Sequence, residues 1–271
     1  MSDRLSSQES FFDTPESLPI SNIKTLVAGS VPESILVVAP HPDDETLGCG
    51  GAIALLRQLD VAVKVLVVSD GTQSHPNSIA YPPLTLKQLR EKESLAALAV
   101  LGVAPEAVIF LGLPDGAVPS ASAEVTARES ENAKTSTRSQ KYRDAISSIC
   151  QYLTKLTPSI IFLPWRKDPH PDHRASWQLF ATACKQLNYG SRIIEYPIWD
   201  WDREQRQDFP SSLNVWRLDI SEVLELKRWA IAQYRSQISE LIDDDPEGFR
   251  LTPEMILNFT HPWEIYLEVK S

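Results

Sequence analysis

The chain has 271 residues, a formal net charge of −10, 42 % hydrophobic residues and 23 % charged residues. These proportions are typical of a globular protein with a full hydrophobic core, and the length suits a single α/β domain with or without a small addition. The negative charge is not relieved by any local run of lysine and arginine, so nucleic acid and anionic lipid are poor candidates as partners.

The predicted elements begin after an irregular or partly helical lead-in, residues 1–33, and the remainder, residues 34–271, is predicted to form one domain. The run Ile35–Ala39 is short, apolar and rich in β-branched residues, which predicts a strand buried on both faces. Helical and strand patterns then alternate: a helix over Thr46–Leu59, a strand over Val61–Val68, a helix over Thr85–Leu101 and a strand over Val108–Leu111.

Residues 117–140 interrupt this alternation, because they are rich in Ser, Ala, Thr and Glu and poor in large apolar residues. Such a segment is typical of a flexible insert or a lid. The elements predicted beyond it are a helix over 141–156, a strand over 159–163, a helix over 172–187, strands over 192–196 and 215–220, a helix over 221–238 capped by Ser221, and an edge strand over 264–269. Strands that alternate with helices predict an α/β, Rossmann-like three-layer sandwich with a mostly parallel sheet.

Two histidine clusters follow two of the predicted strands. The segment His41-Pro42-Asp43-Asp44-Glu45 comes directly after Ile35–Ala39, and Asp168-Pro169-His170-Pro171-Asp172-His173 follows the strand over 159–163 after a short turn. In open parallel sheets, ligands bind beyond the carboxyl ends of the strands. Both clusters are therefore expected at the same edge of the sheet, where an active site would lie.

The residue types in these clusters suit a catalytic zinc site. Such a site takes three imidazole or carboxylate ligands and keeps a fourth position for water. Two histidines and one carboxylate can be drawn from the clusters, which leaves a carboxylate to accept a proton from the activated water and an imidazole to stabilise an oxyanion. A single His-Pro-Asp is commonly only a turn that caps a helix. Two such segments, each between a buried strand and a helix, favour a metal site.

The clusters resemble the signature of the LmbE-like, or GlcNAc-phosphatidylinositol de-N-acetylase-like, family of zinc deacetylases. That signature is a buried strand, an Ala/Pro-His-Pro-Asp-Asp-Glu segment and a Gly-rich helix start, which match residues 39–51, followed later by the His-Pro-Asp-His of residues 170–173. The resemblance extends over roughly residues 34–240. Weaker matches are Ser69-Asp70-Gly71, Arg90 with Glu93, the segment 110–116, and Lys227 leading to Ser236-Gln237.

The resemblance implies one zinc ion per chain, held by His41, Asp44 and His173. His41 and Asp44 flank a turn and can converge on one ion. The residue types also admit another divalent metal, because the order of affinities alone does not identify a metal.

The resemblance also implies three catalytic residues. Asp43 would be the general base that activates the water, a role that the sequence alone does not assign to Asp43 rather than to Asp44. His170 would stabilise the tetrahedral intermediate and protonate the departing amine. Asp172 would hydrogen-bond His170, fix its tautomer and favour its charged form.

Three further residues are candidates for contact with the substrate. Asp115 resembles a family position that contacts substrate hydroxyls, although a plain turn residue also fits a Pro-Asp-Gly sequence. Arg90 either contacts the substrate or forms an internal ion pair with Glu93. His75 lies in a loop beside the expected pocket, where it contacts the substrate or is exposed without a role. Four tryptophans are candidates for a sugar-stacking wall or for anchors in the core: Trp165, Trp199, Trp201 and Trp263.

The sequence therefore predicts a zinc-dependent hydrolase that removes an N-acetyl group from a small-molecule amino sugar or glycoconjugate. One alternative is an amidase that acts on a thiol conjugate or on an antibiotic or lipid precursor. Another is a metal- or sugar-binding protein without turnover, against which the spare Asp43 and His170 argue. A nucleotide-binding Rossmann protein is disfavoured, because Gly48, Gly50 and Gly51 lack the G-x-G-x-x-G spacing and the acidic residues 43–45 would repel a pyrophosphate.

The sequence also bears on the location of the protein. No stretch reaches the roughly 18 consecutive apolar residues of a membrane-spanning helix, and the polar first 30 residues do not resemble a signal peptide. Three scattered cysteines, Cys49, Cys150 and Cys184, do not predict a disulfide framework. A cytoplasmic protein is therefore expected, and association of like copies is compatible with the sequence.

Overall fold

The computed structural model describes residues 15–27, 34–120, 133–201, 210 and 212–270, and these residues contain one eight-stranded sheet. Its strands in chain order are β1 (Ile20–Ser21), β2 (Ile35–Ala39), β3 (Val63–Ser69), β4 (Val108–Leu113), β5 (Ile160–Pro164), β6 (Arg192–Tyr196), β7 (Leu213–Asp219) and β8 (Trp263–Val269). Their order across the sheet is β1-β7-β8-β6-β5-β2-β3-β4. Strand β8 runs antiparallel to both of its neighbours, whereas all other neighbours are parallel.

Helices cover both faces of this sheet. They are α1 (Ile23–Leu26), α2 (Asp44–Gln58), α3 (Pro83–Val100), α4 (Ala133–Leu156), α5 (Pro171–Gln186), α6 (Leu224–Ile231), α7 (Arg235–Ile238) and α8 (Pro253–Leu257). Helices α2, α3 and α6 share one hydrophobic core with the sheet, and α4 and α5 share another. The predicted three-layer α/β architecture is therefore confirmed.

The central strand β2 shows how the two cores are built. Successive side chains of a strand point to opposite faces. Ile35, Val37 and Ala39 accordingly lie in the core beneath α2, whereas Leu36 and Val38 lie in the core beneath α4 and α5. All five side chains are buried, which explains why the sequence shows a continuous apolar run here and no alternation.

Strand β8 is not the edge strand that the sequence predicts. It lies between β6 and β7, and pairs along its whole length with β7, from Leu213↔Val269 to Asp219↔Trp263. Its residues 264–267 are buried. Glu264 is among them because its carboxylate accepts hydrogen bonds from the backbone N–H groups of Gly51 and Ala52 in α2.

The single helix predicted over residues 221–238 is broken. A 3-10 turn at Ser221–Val223 is followed by α6, and a turn separates α6 from α7. Ser221 is not the cap: its N–H and O–H both donate to the carboxylate of Asp219, at 3.0 and 2.6 Å. At the break, the buried Tyr234 directs its hydroxyl to Glu45 at 2.5 Å, so a buried polar contact accompanies the interruption of the helix.

Two predicted segments lie partly outside the described residues. Of the lead-in, residues 1–14 and 28–33 are outside, and the described part contributes α1 and also β1, which pairs with β7 at the edge of the sheet. Of the predicted insert or lid over 117–140, residues 121–132 are outside, and α4 begins at Ala133. Within the described ranges, no helix combines the length and the apolar character needed to cross a membrane.

Candidate metal and active site

The two histidine clusters lie side by side at the carboxyl edge of the sheet. They follow β2 and β5, and these strands are parallel neighbours. The first cluster leads into α2, which begins at Asp44, and the second leads into α5, which begins at Pro171. The sheet therefore places both clusters where the sequence predicts a common site.

Three atoms from these clusters form a nearly equilateral triangle. His41 Nδ1 lies 3.2 Å from Asp44 Oδ2 and 3.3 Å from His173 Nε2, and His173 Nε2 lies 3.2 Å from Asp44 Oδ2. Ligands at about 2.0–2.1 Å from a tetrahedral zinc ion are separated by about 3.3 Å. The spacing of the triangle is therefore that of three ligands around one metal ion.

Carboxylates lie at the opposite side of both imidazole rings. His41 Nε2 is 3.2 Å from Asp115 Oδ1 and 3.4 Å from Asp172 Oδ2. His173 Nδ1 is 3.3 Å from Asp168 Oδ2. A carboxylate behind a metal-binding imidazole fixes its tautomer and raises its basicity. Each ring is thus arranged to direct its free nitrogen towards the triangle.

Asp168 is a site residue that the sequence analysis did not select. It is fully buried, and besides His173 it binds the backbone N–H groups of His170 at 2.8 Å and of Ile198 and Trp199 at 3.2 Å. It lies at the start of the second histidine cluster, and this position in the sequence could have identified it as a site residue. Its carboxylate joins the loop after β5 to the loop after β6.

The charges of the cluster favour a cation. Burial by itself lowers the pKa of His41, but hydrogen bonds to three carboxylates outweigh it and raise that pKa well above its usual value. Burial likewise lowers the pKa of His173, and Asp168 and Asp44 raise it to about 9. Despite its burial, Asp44 has a pKa well below its usual range because of the two histidines. Buried carboxylates in this number stabilise positive charge, which a metal ion would supply.

The same region offers two other groups of ligand atoms. His41, His170 and His173 have nitrogens within 4.8 Å of one another, and one atom each from His41, Asp115 and Asp172 meets the same limit. In the triangle that includes Asp44, all three separations are 3.2–3.3 Å, which is the spacing of ligands around a single ion.

Asp43 has an unusual backbone conformation that its neighbours hold in place. Its φ is 138° and its ψ is −31°, a region that side-chain-bearing residues rarely adopt. Its N–H donates to Glu45 Oε2 at 3.1 Å, and its Oδ2 accepts from Arg90 Nη2 at 3.1 Å. Arg90 also donates to the carbonyl groups of Pro42 at 2.7 Å and Gly71 at 2.9 Å. Backbone strain of this kind persists where the surroundings over-determine it, commonly at active sites.

The carboxyl group of Asp43 is suited to handle protons. Burial raises its pKa to about 8, against the lowering effect of the Arg90 charge. Arg90 occupies Oδ2, and among the described residues no donor bonds to Oδ1. A side chain with a pKa near neutrality can both accept and return a proton.

His170 lies next to the triangle and caps α5. Its ring centroid is 4.8 Å from that of His41 and 5.1 Å from that of His173. Its Nδ1 accepts the backbone N–H of Asp172 at 3.2 Å, so the proton of the neutral ring lies on Nε2. Burial and the neighbouring histidines lower its pKa to about 4.

Asp172 has different partners from those expected. Its carboxylate accepts from the backbone N–H groups of Gly116 at 2.7 Å and Val118 at 3.1 Å, and lies behind His41. Only its backbone N–H bonds His170. The Asp172 carboxylate is thus not hydrogen-bonded to His170 and belongs to the turn after β4. Its charge raises the pKa of His170, but burial and the neighbouring histidines outweigh that effect.

The three residues predicted to contact the substrate lie in different surroundings. Asp115 and Arg90 line the cavity described below. Arg90 does not form the expected ion pair with Glu93, which instead accepts two hydrogen bonds from Ser236. His75 is buried rather than exposed: it packs against Gly248, and its Nδ1 lies 3.2 Å from the hydroxyl of Ser74, which lines the cavity.

A cavity of about 650 Å³ opens above the triangle, a size typical of small-molecule sites. Its polar lining includes His41, Asp43, Asp44, Asp115 and His170. Its apolar lining includes Trp199, Trp201, Phe249, Met255 and Phe259. Of the other candidate tryptophans, Trp165 is buried in a core and Trp263 stacks on His261 at 4.8 Å. Two of the four tryptophans are thus placed to meet a ligand.

Comparison with known proteins identifies the family. The family described as GlcNAc-PI de-N-acetylase (PIG-L) matches residues 36–184, which is more than half of the chain and includes both histidine clusters. The chain belongs to the PIG-L family. The resemblance drawn from the two His motifs is therefore confirmed.

The curated relatives of this PIG-L family member include several deacetylases. The chain is 27 % identical over 215 residues to the probable N-acetyl-alpha-D-glucosaminyl L-malate deacetylase 2 of Bacillus cereus, covering 78 % of this chain and 86 % of the relative. It is 25 % identical over 215 residues to the diacetylchitobiose deacetylase of Thermococcus kodakarensis, covering 77 % and 71 %. The N,N'-diacetylchitobiose deacetylase of Pyrococcus horikoshii shares the fold, with a TM-score of 0.57, 22 % identity and coverage of 89 % and 85 %. The predicted activity class, an N-deacetylase, is confirmed.

Proposed function

We propose that the protein is a zinc-dependent hydrolase that removes the acetyl group from an N-acetylated amino sugar or its glycoconjugate. The observation that carries this proposal is the triangle of His41, Asp44 and His173 with the unused Asp43 and His170 beside it. The named relatives, deacetylases of N-acetylglucosaminyl malate and of diacetylchitobiose, support an amino sugar as substrate.

In this proposal, His41, Asp44 and His173 hold the metal ion. Two nitrogen ligands and one carboxylate at near-tetrahedral spacing are a set that zinc favours in catalytic sites. The carboxylates behind the imidazoles balance the charge of the ion. When bound, zinc polarises a carbonyl group and makes a water molecule acidic enough to react near neutral pH.

Asp43 is the proposed general base. Arg90 and Glu45 hold its carboxylate and backbone, so its free Oδ1 can take a proton from the attacking water. The same carboxyl group then returns that proton to the nitrogen of the amine as the C–N bond breaks. Acetate and the free amine are the products.

His170 is proposed to stabilise the oxyanion of the tetrahedral intermediate. Because its Nδ1 accepts a backbone N–H, its Nε2–H is the donor available to an oxygen atom in the cavity. His170 thus has the expected role of stabilising the tetrahedral intermediate, whereas Asp43 protonates the amine.

The cavity lining supports a sugar. Trp199 lies close to His170, with ring centroids 6.4 Å apart and planes at 28°, so an aromatic face stands beside the reacting end of the cavity. The C–H face of a sugar ring can pack on such a surface, while its hydroxyls meet polar side chains. The apolar residues Trp201, Phe249 and Phe259 also favour the second candidate, the same chemistry on an antibiotic or lipid precursor or a thiol conjugate.

The experiment measures acetate release from N-acetylglucosamine, diacetylchitobiose and an alkyl N-acetylglucosaminide. The wild type is tested as purified, after chelation, and after addition of zinc or another divalent metal. Asp43→Ala should lower the rate about 10²- to 10⁴-fold, because it removes the base. Asp144→Ala, on the exposed side of α4, is the matched control and should retain the wild-type rate. Full activity of the chelated protein or of Asp43→Ala would refute the mechanism.

A cytoplasmic location is part of the proposal. The three cysteines are unpaired, and Cys49 and Cys184 are buried, which suits a reducing compartment. Fractionation of cells that produce the full chain, with an antibody against it, tests the location. Recovery of the protein in the secreted or envelope fraction would contradict it.

A further inference from the structure

Gln237 in α7 carries a polar atom without a partner. Its side chain is buried and lines the cavity. Its amide oxygen Oε1 has no hydrogen-bond partner among the described residues. Buried polar atoms in native proteins nearly always have partners, so an unpaired one beside a binding cavity points to a ligand.

Ser236 determines which end of this amide is unpaired. Both donors of Ser236 go to Glu93: its N–H to Oε1 at 2.8 Å and its O–H to Oε2 at 2.5 Å. Ser236 Oγ can therefore only accept from Gln237, whose Nε2 lies 2.9 Å away. The amide NH₂ also lies 3.4 Å from Ser74 Oγ. The nitrogen is thus committed to the protein, and the oxygen remains as an acceptor.

The surroundings of Gln237 combine polar and apolar groups. The backbone carbonyl of Gln237 accepts the N–H of Leu251 at 2.7 Å, and that of Ser74 accepts the N–H of Phe249 at 2.6 Å. Ser74, Phe249 and Leu251 all line the cavity. A hydrogen-bond acceptor beside apolar side chains matches a sugar ring, which presents hydroxyl groups at its edge and C–H groups on its faces.

We propose that Gln237 determines substrate specificity by accepting a hydrogen bond from one ring hydroxyl of the sugar through Oε1. The inference rests on the proposed function and adds to it the group that is recognised. A site built around such an acceptor discriminates against a substrate without the hydroxyl, because the buried oxygen then stays unpaired.

The first test changes the substrate and leaves the protein unaltered. The wild type is assayed with an alkyl N-acetylglucosaminide and with its 3-deoxy, 4-deoxy and 6-deoxy analogues. One analogue should show a kcat/KM about 10-fold lower than the parent, because a hydrogen bond is lost and a buried acceptor is left unpaired. This test does not depend on the folding of any variant.

The second test changes Gln237. Gln237→Met removes the acceptor at similar volume and should lower kcat/KM for the parent about 10-fold, mainly through KM, with no further loss for the discriminated analogue. Gln233→Met, the same change at a half-buried position outside the cavity, should behave as the wild type. Thermal melting verifies that each variant is folded.

The outcomes separate the two proposals. Wild-type hydrolysis of the parent with equal kcat/KM for all three analogues would overturn the role of Gln237 and leave the proposed function standing. The role of Gln237 would also be overturned if a deoxy analogue had the same reduction in kcat/KM, relative to the parent, in the wild type and in Gln237→Met. The effect of the missing hydroxyl would then be independent of Gln237. No hydrolysis of any amino sugar would refute the proposed function, and the inference would fall with it.

Discussion

Arg90 and Asp43 form a buried ion pair whose two members should depend on each other. The guanidinium of Arg90 donates to Asp43 Oδ2 at 3.1 Å and to the carbonyl groups of Pro42 and Gly71. Arg90→Met removes all three bonds and, above about pH 8, where Asp43 is ionised, leaves its carboxylate buried without its cation. Loss of one partner of a buried pair costs about 3–5 kcal/mol in the free energy of unfolding.

The same change should cost less when Asp43 is already neutral. In an Asp43→Asn background, Arg90→Met removes chiefly the two bonds to backbone carbonyl groups, at a cost of about 1–3 kcal/mol. The expected coupling energy between the two positions is therefore about 2 kcal/mol. This difference isolates the ion pair from the bracing of the backbone.

Urea denaturation at pH 9, above the Asp43 pKa of about 8, measures the coupling in the wild type, both single variants and the double variant. All four proteins are compared in the presence of a chelator, because a bound metal would stabilise them unequally. If Arg90→Met lowers the free energy of unfolding by the same amount, within about 0.5 kcal/mol, in the wild-type and Asp43→Asn backgrounds, the two residues are not coupled. Arg90 would then act only through Pro42 and Gly71.

Three further predictions concern the metal ligands and the loop that holds His75. Zinc added at 100 times its Kd to wild-type protein freed of metal should raise the free energy of unfolding by about 2.7 kcal/mol, and His173→Ala should lose this gain. An equal rise in Tm for both proteins would contradict the assignment of His173 as a ligand. Gly248→Ala should lower the stability by about 1–3 kcal/mol in urea denaturation, because its Cβ would lie 2.2 Å from the His75 ring. Gly190→Ala, with nothing within 4 Å of the new Cβ, is the control and should match the wild type. Burial lowers the pKa of His75, so this residue binds more protons in the unfolded chain and its contribution to stability falls on acidification from pH 7.5 to about 5.5; relative to the wild type, His75→Gln should therefore gain Tm over this range, and an identical pH dependence of Tm in the two proteins would exclude His75 as a cause.

The fold was predictable where the physical signal is local. The continuous apolar run of β2 indicates a strand covered on both faces, and the structure has β2 between two cores. The place of β8 was not predictable, because it depends on pairing with β6 and β7, which lie far away along the chain. The break before α7 also escaped prediction, since it involves Tyr234 and its contact with Glu45, 189 residues distant.

The site shows the same division between local and distant information. The two His motifs indicated that the triangle atoms and Asp43 lie together, because the first motif directly follows a strand and the second follows a neighbouring strand after a short turn. The partners of Asp172 could not be predicted, because they are backbone N–H groups of the turn after β4. His75 lies beside the pocket as expected, but its burial could not be predicted, because Gly248, which packs against its ring, comes from a distant loop. The sequence indicated which side chains form the site but not which groups they contact.

The interior place of β8 has a consequence for synthesis on the ribosome. β8 comes last in chain order among the strands of the described residues, yet it fills the gap between β6 and β7, which are synthesised earlier. Its Glu264 also holds the backbone of α2, the helix that begins with Asp44, through the N–H groups of Gly51 and Ala52. Until β8 has been synthesised, a nascent chain can therefore form only two unjoined parts of the sheet, and α2 lacks the contact with Glu264. The sheet is completed and this helix is braced together, late in the folding of the newly synthesised chain.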